Sequence, residues 1–310
     1  MKTLDQVEPR TVVNAANTPG SSNSLFRITA PGSYYLTGDI IGVSGKHGIE
    51  IAATNVTLDL NGFSLIGVPG SLIGIEATNN PAYSAAGLRV CNGAIAGWGS
   101  DGINTFSGGA PAIFSGLNLK NNQSNGMTVV QAVITDCIAH NNGLGYGIQG
   151  KQLTIFNCVA RQNNLGFGLF AGSLLRSSMA TGNNTGIDAG SGSMVLNNTV
   201  RVNTSTGINV REMCRVADNV VSASGTGILL AAAGNTIEGN TLVNNSVGGI
   251  VLTSTNAVRN LIIRNTAQGN GTNYQITVTN NAFGPIVNVA GVGQINSVPN
   301  SDSAFANFSY

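Results

Sequence analysis

Charge is scarce in this chain: Lys, Arg, Asp and Glu make up 9% of the 310 residues, with 14 basic against 13 acidic side chains and a net charge of +1. Without a Lys/Arg run it lacks the electrostatic footprint of a nucleic-acid or anionic-membrane binder. Aromatic residues supply only 5%, with a single Trp. No apolar run approaches the roughly 18 residues that a membrane-spanning helix needs. The four cysteines (91, 137, 158 and 214) are too few for a disulfide scaffold and form no CxxC zinc knuckle, so they fix no redox compartment. The opening MKTLDQVEPR lacks the basic-then-apolar layout of a secretory signal, so no export address is expected in the chain as it stands.

What is plentiful is Gly, with 42 residues, beside a 42% apolar content that argues for a folded chain. Gly followed by a large apolar residue recurs at Gly126-Met127, Gly147-Ile148, Gly168-Leu169, Gly186-Ile187, Gly207-Ile208, Gly227-Ile228 and Gly249-Ile250, in steps of 21, 21, 18, 21, 20 and 22. Earlier members at Gly48, Gly74 and Gly102 are more widely spaced, and Asn273-Tyr274 reads as a last, degenerate copy. Within each period, segments of three to five residues rich in Val, Ile, Leu and Thr alternate with Asn and Gly, which predicts three short strands and three bends per coil.

Two further columns run at constant offset. One is expected at Asn61, Gly93, Gly116, Cys137, Cys158, Met179, Asn198, Asn219, Asn240 and Asn265. The other is expected at Asn121, Asn142, Asn163, Asn184, Asn203, Ser224, Asn245 and Asn270. Asn tolerates the left-handed backbone of a sharp bend, and its amide can donate to one neighbouring coil and accept from the other. The pattern predicts an all-β chain: a single-stranded right-handed parallel β-helix of about ten or eleven coils, stacked about 4.8 Å apart.

The stretch PGSYYLTGDIIGVSGKHGIEIAATNVTLDLNGFSL (31–65), the repeated Gly-Ile and Asn-Asn elements and the ending GPIVNVAGVGQI…FANFSY resemble the bacterial right-handed parallel β-helix repeat proteins of the pectate-lyase-like superfold. The resemblance implies an extracellular location, and a start at Met1 that is internal to a longer precursor. It also implies a polysaccharide partner, since β-helix proteins include lyases, hydrolases, epimerases and phage tailspikes. Residues 1–46 are expected to form an N-terminal cap with the first strands, 47–276 the coils and 277–310 a C-terminal cap, all within one structural domain, because an open solenoid end leaves an edge that would pair with another molecule. Cys137 and Cys158, one coil apart, read as a buried stack, with a disulfide as the alternative.

An outward row follows two positions after each Gly: Glu50, Glu76, Asn104, Thr128, Gln149, Phe170, Asp188, Asn209, Leu229 and Val251. Two residues further on stand Lys151 and Arg211. Lys151, Asp188 and Arg211 are the candidate catalytic set, offering a base and a cation for β-elimination on a uronate. Gln149, Phe170 and Asn209 are the candidate binding residues. A Glu50/Glu76 metal pair and a His140/Arg161 pair are weaker alternatives, and no metal site or cofactor is expected. Leu229, Leu230 and Val251 form an apolar run suited to self-association. The low aromatic content argues against strong sugar stacking and the scattered acids against hydrolysis. The sequence therefore favours an extracellular structural or ligand-presenting protein, with a uronate-polymer lyase or a carbohydrate-binding module as the alternatives.

Overall fold

A computed structural model describes residues 9–77, 86–105, 111–291 and 294–310; residues 1–8, part of the expected N-terminal cap, lie outside it. The chain forms two compact units, residues 1–154 and 155–310. Both are all-β and wound as the expected right-handed parallel β-helix; among the described residues no α-helix occurs.

In the first unit one face is a parallel stack of Ser24–Ile28, His47–Ile51, Ile75–Ala77, Ile103–Thr105, Met127–Val130 and Tyr146–Lys151. In the second the same face is built from Leu165–Leu169, Thr185–Ala189, Thr206–Val210, Thr226–Leu230, Gly248–Leu252 and Tyr274–Ile276. The rung at Ser24–Ile28 was not expected as a coil, because Leu25 stands where later coils have Gly; Phe26 nonetheless sits opposite Ile49. The rest of each coil carries short strands such as Met194–Leu196 and Thr199–Arg201, which pair with their counterparts one coil on. Alternation drives the packing: Ile187, Ile208, Ile228 and Ile250 form a fully buried inward column, and Ala189, Val210, Leu230 and Leu252 another.

The Gly before each inward Ile is required by space. A Cβ on Gly186 would lie 2.6 Å from the Gly207 carbonyl oxygen, and one on Gly207 would lie 2.5 Å from a Val221 methyl. The next coil's backbone and the corner side chains already fill that volume. This shared need corrects one coil: Phe167 pairs with Ile187 and Gly168 with Asp188, so the repeat glycine is Gly166, two residues before the expected Gly168.

The polar columns are real and run a residue away from some expected members. In the second unit Asn198 Nδ2 donates to Asn219 Oδ1 at 3.0 Å, Asn219 to Asn240 at 2.9 Å, Asn240 to Asn265 at 3.0 Å and Asn265 to Asn307 at 3.1 Å. Ser178, not Met179, precedes Asn198, and the Ser178 hydroxyl in turn accepts from Cys158 N–H. The second column runs Asn163, Asn183, Asn203, Ser224, Asn245 and Asn270, with Asn183 in place of Asn184. A third, unforeseen column links Cys214, Asn235, Asn260 and Asn281. In the first unit Asn122, not Asn121, donates to Asn142, while the other corner is closed by Leu60, Gly93, Leu117 and Cys137 instead of Asn61 and Gly116.

Two of the slips, Gly116 for Leu117 and Asn121 for Asn122, share a cause, since Gly116 and Asn121 carry the left-handed φ of 62° and 55°. The bend needs two residues: a left-handed one, then an inward one that bonds along the axis. Asn197, Asp218 and Arg264 have φ of 54°, 57° and 60° and immediately precede Asn198, Asn219 and Asn265. The left-handed backbone and the stacked amide therefore belong to neighbouring residues, not to one Asn.

The four cysteines are buried, and none is in a disulfide. The expected apolar contact face is not an open surface: Leu230 is fully buried and Val251 is 5% exposed, which leaves only Leu229 half-buried on the outside.

Candidate functional site

The outward row exists in each unit. Cα partners run Arg27, Glu50, Glu76, Asn104, Thr128 and Gln149 in the first. In the second they run Gly168, Asp188, Asn209, Leu229, Val251 and Gln275. Successive rungs place these side chains about 4.8 Å apart on the same face. Phe170 is absent from the row: the two-residue shift of its coil puts it one position beyond the Leu169–Ala189 pair, in the column that holds Arg211.

In the second unit Asp188 is 8% exposed, yet both of its oxygens are engaged. Asn209 Nδ2 donates to Oδ1 at 2.9 Å and Arg211 Nη2 to Oδ2 at 3.2 Å. The Arg211 side chain is 58% exposed, so the pair presents a cation at the surface and holds its acid beneath. Phe170 is partly exposed in the same column. In the first unit Gln149 Nε2 donates to Thr128 Oγ1 at 3.1 Å, and Lys151 ends its strand exposed, opposite Val130. The weaker pair divides between the units: His140 stands opposite Lys120 and Arg161 opposite Thr181.

Among the described residues, Arg27, His47, Glu50 and Glu76 cluster at the start of the first unit, where only Glu50 and Glu76 were anticipated. Ser24 Oγ donates to Glu50 Oε2 at 2.9 Å, and Arg27 Nε lies 3.1 Å from Glu50 Oε1 without hydrogen-bond alignment. His47 Nδ1 accepts the Ile73 N–H at 3.2 Å, which leaves its proton on Nε2, 3.2 Å from Glu76 Oε2. Burial pushes the Glu76 carboxyl above the usual carboxylate range; His47 opposes that shift and Glu50 reinforces it. Asp101 is 4% exposed and accepts from Asn104 Nδ2 and from both the N–H and Nδ2 of Asn125. The available signal was the position one residue before the repeat glycine, polar at His47, Asp101 and Asn125 though apolar at Ile73, with Ser24 paired to His47 one rung earlier.

A transition-metal centre needs converging nitrogen or sulfur donors. The chain has two histidines, and both nitrogens of His47 are engaged. The thiols of Cys137, Cys158 and Cys214 donate to backbone carbonyls at 3.2, 3.3 and 3.1 Å, and burial pushes the Cys91 and Cys214 thiols up. Among the described residues no three His, Cys, Asp or Glu side chains group as metal ligands.

Among solved structures, the A-module of the Azotobacter vinelandii mannuronan C-5 epimerase AlgE4 matches at 17% identity over 87% of this chain and 88% of that one, with a TM-score of 0.71. The periplasmic alginate epimerase AlgG matches at 11% identity over 90% of this chain and 81% of that one, with a TM-score of 0.51. A tailspike protein of E. coli bacteriophage HK620, in complex with a pentasaccharide, matches at 14% identity over 85% of this chain and 59% of that one, with a TM-score of 0.57. At these identities the likeness is one of fold. No curated protein matches the chain. The family model described as periplasmic copper-binding protein (NosD) matches residues 61–297, and the chain belongs to the NosD family.

Proposed function

We propose that the chain is a periplasmic or extracellular ligand-presenting β-helix whose outward strand row holds an acidic polysaccharide. The observation that carries this reading is the row itself, a register-locked line of side chains at rung spacing. Among its half-buried members Asn104, Gln149 and Asn209 are hydrogen-bonding groups, and beside it in the second unit stands the surface guanidinium of Arg211. In the second unit polymer carboxylates would pair with Arg211, sugar hydroxyls would exchange bonds with Asn209 and an apolar ring face would lie on Phe170. In the first unit Lys151 and Gln149 would serve a carboxylate and hydroxyls in the same way. The location follows from the family's description and the resemblance to secreted β-helix proteins.

The geometry favours binding over proton transfer. A general base must reach the substrate, and Asp188 is 8% exposed and tied at both oxygens to Asn209 and Arg211, an arrangement that suits orienting those two side chains. Copper, which the family's description names, does not fit the donor set of the described residues: the thiols are buried and the histidine nitrogens do not converge.

The test is a titration of polygalacturonate and alginate oligomers, run in parallel with an ultraviolet assay for unsaturated products. Binding without product, weakened severalfold by Arg211→Ala and by Phe170→Ala with unchanged unfolding, is the expected result. Turnover that collapses by orders of magnitude in Arg211→Ala would establish the lyase reading instead. Absence of binding to any acidic polymer would reject the row as a ligand site.

A further inference from the structure

A large groove lies away from the row, at the corner of the first unit where one coil turns toward its next front strand. It has a volume of about 740 Å³ and is walled by Val68, Pro69, Trp98, Asn121–Gln123, Asn141 and Leu144 among glycines. The equivalent corner of the second unit, around Val202–Thr204 and Ala223–Gly225, encloses about 300 Å³.

The extra room has a local origin. Four residues, Gly143 to Tyr146, separate the column residue Asn142 from the repeat glycine Gly147; in the second unit the same link has two or three, as from Asn183 to Gly186 or Asn203 to Gly207. The longer link is held in place, since Gly143 N–H donates to Asn122 O at 2.8 Å and Leu144 N–H to Gln123 O at 3.2 Å. It lifts Leu144 to 84% exposure, the highest of any large apolar side chain among the described residues. Below it, Trp98 is clamped by its own N–H to Asn122 Oδ1 and by Nε1 to Leu65 O, and glycines at 97, 99 and 143 keep the walls thin.

The chemistry of the lining is selective. No Asp, Glu, Lys, Arg or His lines the groove. Its exposed polar side chains are the carboxamides of Asn121, Gln123 and Asn141, each of which both donates and accepts, and its apolar rim is Val68, Pro69 and Leu144. A few placed amides above an apolar wall suit a ligand with vicinal hydroxyls on one side and C–H groups on the other, and give an ion nothing to pair with.

We propose that this corner groove is a binding site for neutral saccharide units, separate from the acidic-polymer row. Asn121, Gln123 and Asn141 would bond the hydroxyls, and Leu144 and Pro69 would cover the apolar sugar face. The site stands independently of the row.

The chain's single Trp is on the groove floor, so its emission reports occupancy directly. The full chain is titrated with maltohexaose, cellohexaose and mannohexaose, with oligogalacturonate as the charged control. At least one neutral oligosaccharide is expected to give a saturating change in Trp98 emission, and oligogalacturonate none. Asn121 and Asn141 have φ of 55° and 54°, so Asn121→Gly and Asn141→Gly remove the amides and relieve backbone strain. The double variant, checked by circular dichroism, should bind about tenfold more weakly, and Leu144→Ser severalfold more weakly. Arg211→Ala and Glu76→Gln should leave the Trp98 titration unchanged while altering the row's response to acidic polymer, so failure of one site is distinguishable from failure of the other. No saturable response to any of the three neutral sugars at millimolar concentration, or an equal response in the folded double variant, would overturn the proposal.

Discussion

The two units solve one problem differently. In the second, coil corners are filled by stacked amides, and the column from Asn198 to Asn307 is buried and bonded at every step. In the first, the corresponding corner carries Leu60, Gly93, Leu117 and Cys137, and another corner takes Trp98. Amide columns demand constant geometry, because each carboxamide must meet the next at hydrogen-bond distance. Apolar corners tolerate irregular coils. The comparison teaches that regularity and elaboration trade against each other: the first unit has the wide spacings, the His47–Glu76 pair and the large groove, whereas the outer row of the second is apolar at Leu229 and Val251.

Trp98→Ala should give the largest effect, a loss of about 3–5 kcal/mol by cavity formation in the first unit, read by chemical denaturation. Asn219→Leu should cost about 1–3 kcal/mol, since Asn198 and Asn240 each lose a buried partner. If both substitutions proved equally mild, the proposed division between apolar and amide corners would fail. Val202→Gly should act in the opposite direction. Val202 is a β-branched residue at φ 56° and 54% exposed, so relieving the left-handed strain should stabilise by about 1 kcal/mol, visible as a higher Tm.

The smallest effect concerns pH. Because the folded-state pKa of Glu76 is raised above its unfolded value, the fold binds that proton more tightly. Its contribution is fully present below the usual carboxylate range and is lost as pH rises through the elevated pKa. Glu76→Gln should therefore flatten the decline of stability from acidic to neutral pH, measured by thermal unfolding across that window. An unchanged profile would show that Glu76 ionises in the fold as it does in the unfolded chain. Deleting residues 1–46 tests a different expectation, that this segment protects a coil edge: light scattering should show end-to-end association.

Much of the fold was legible because its constraints repeat. A glycine is needed wherever a neighbouring backbone occupies the Cβ volume, so Gly186, Gly207, Gly227 and Gly249 announce the period. The register within a corner was less legible, because Asn serves both as the left-handed residue and as the stacked one. Asn121-Asn122 offers two identical letters for these two tasks, whereas in Asn183-Asn184 the first letter stacks and Gly182 before it is the left-handed residue. In the GFGLF segment two glycines compete, and only pairing with Ile187 selects Gly166, which moves Phe170 out of the row.

The sequence by itself determined the parallel solenoid, its period, the outward line through Glu50, Glu76, Asp188 and Asn209, and the scarcity of charge. These follow from spacing and composition, which act along the chain. Only the tertiary structure decided that His47 meets Glu76, that both Asp188 oxygens are engaged, that Val251 is buried and that a longer link opens a groove beneath Leu144. Each of these depends on distances between residues more than twenty positions apart, or on volume left over after packing, and neither quantity is carried by local sequence.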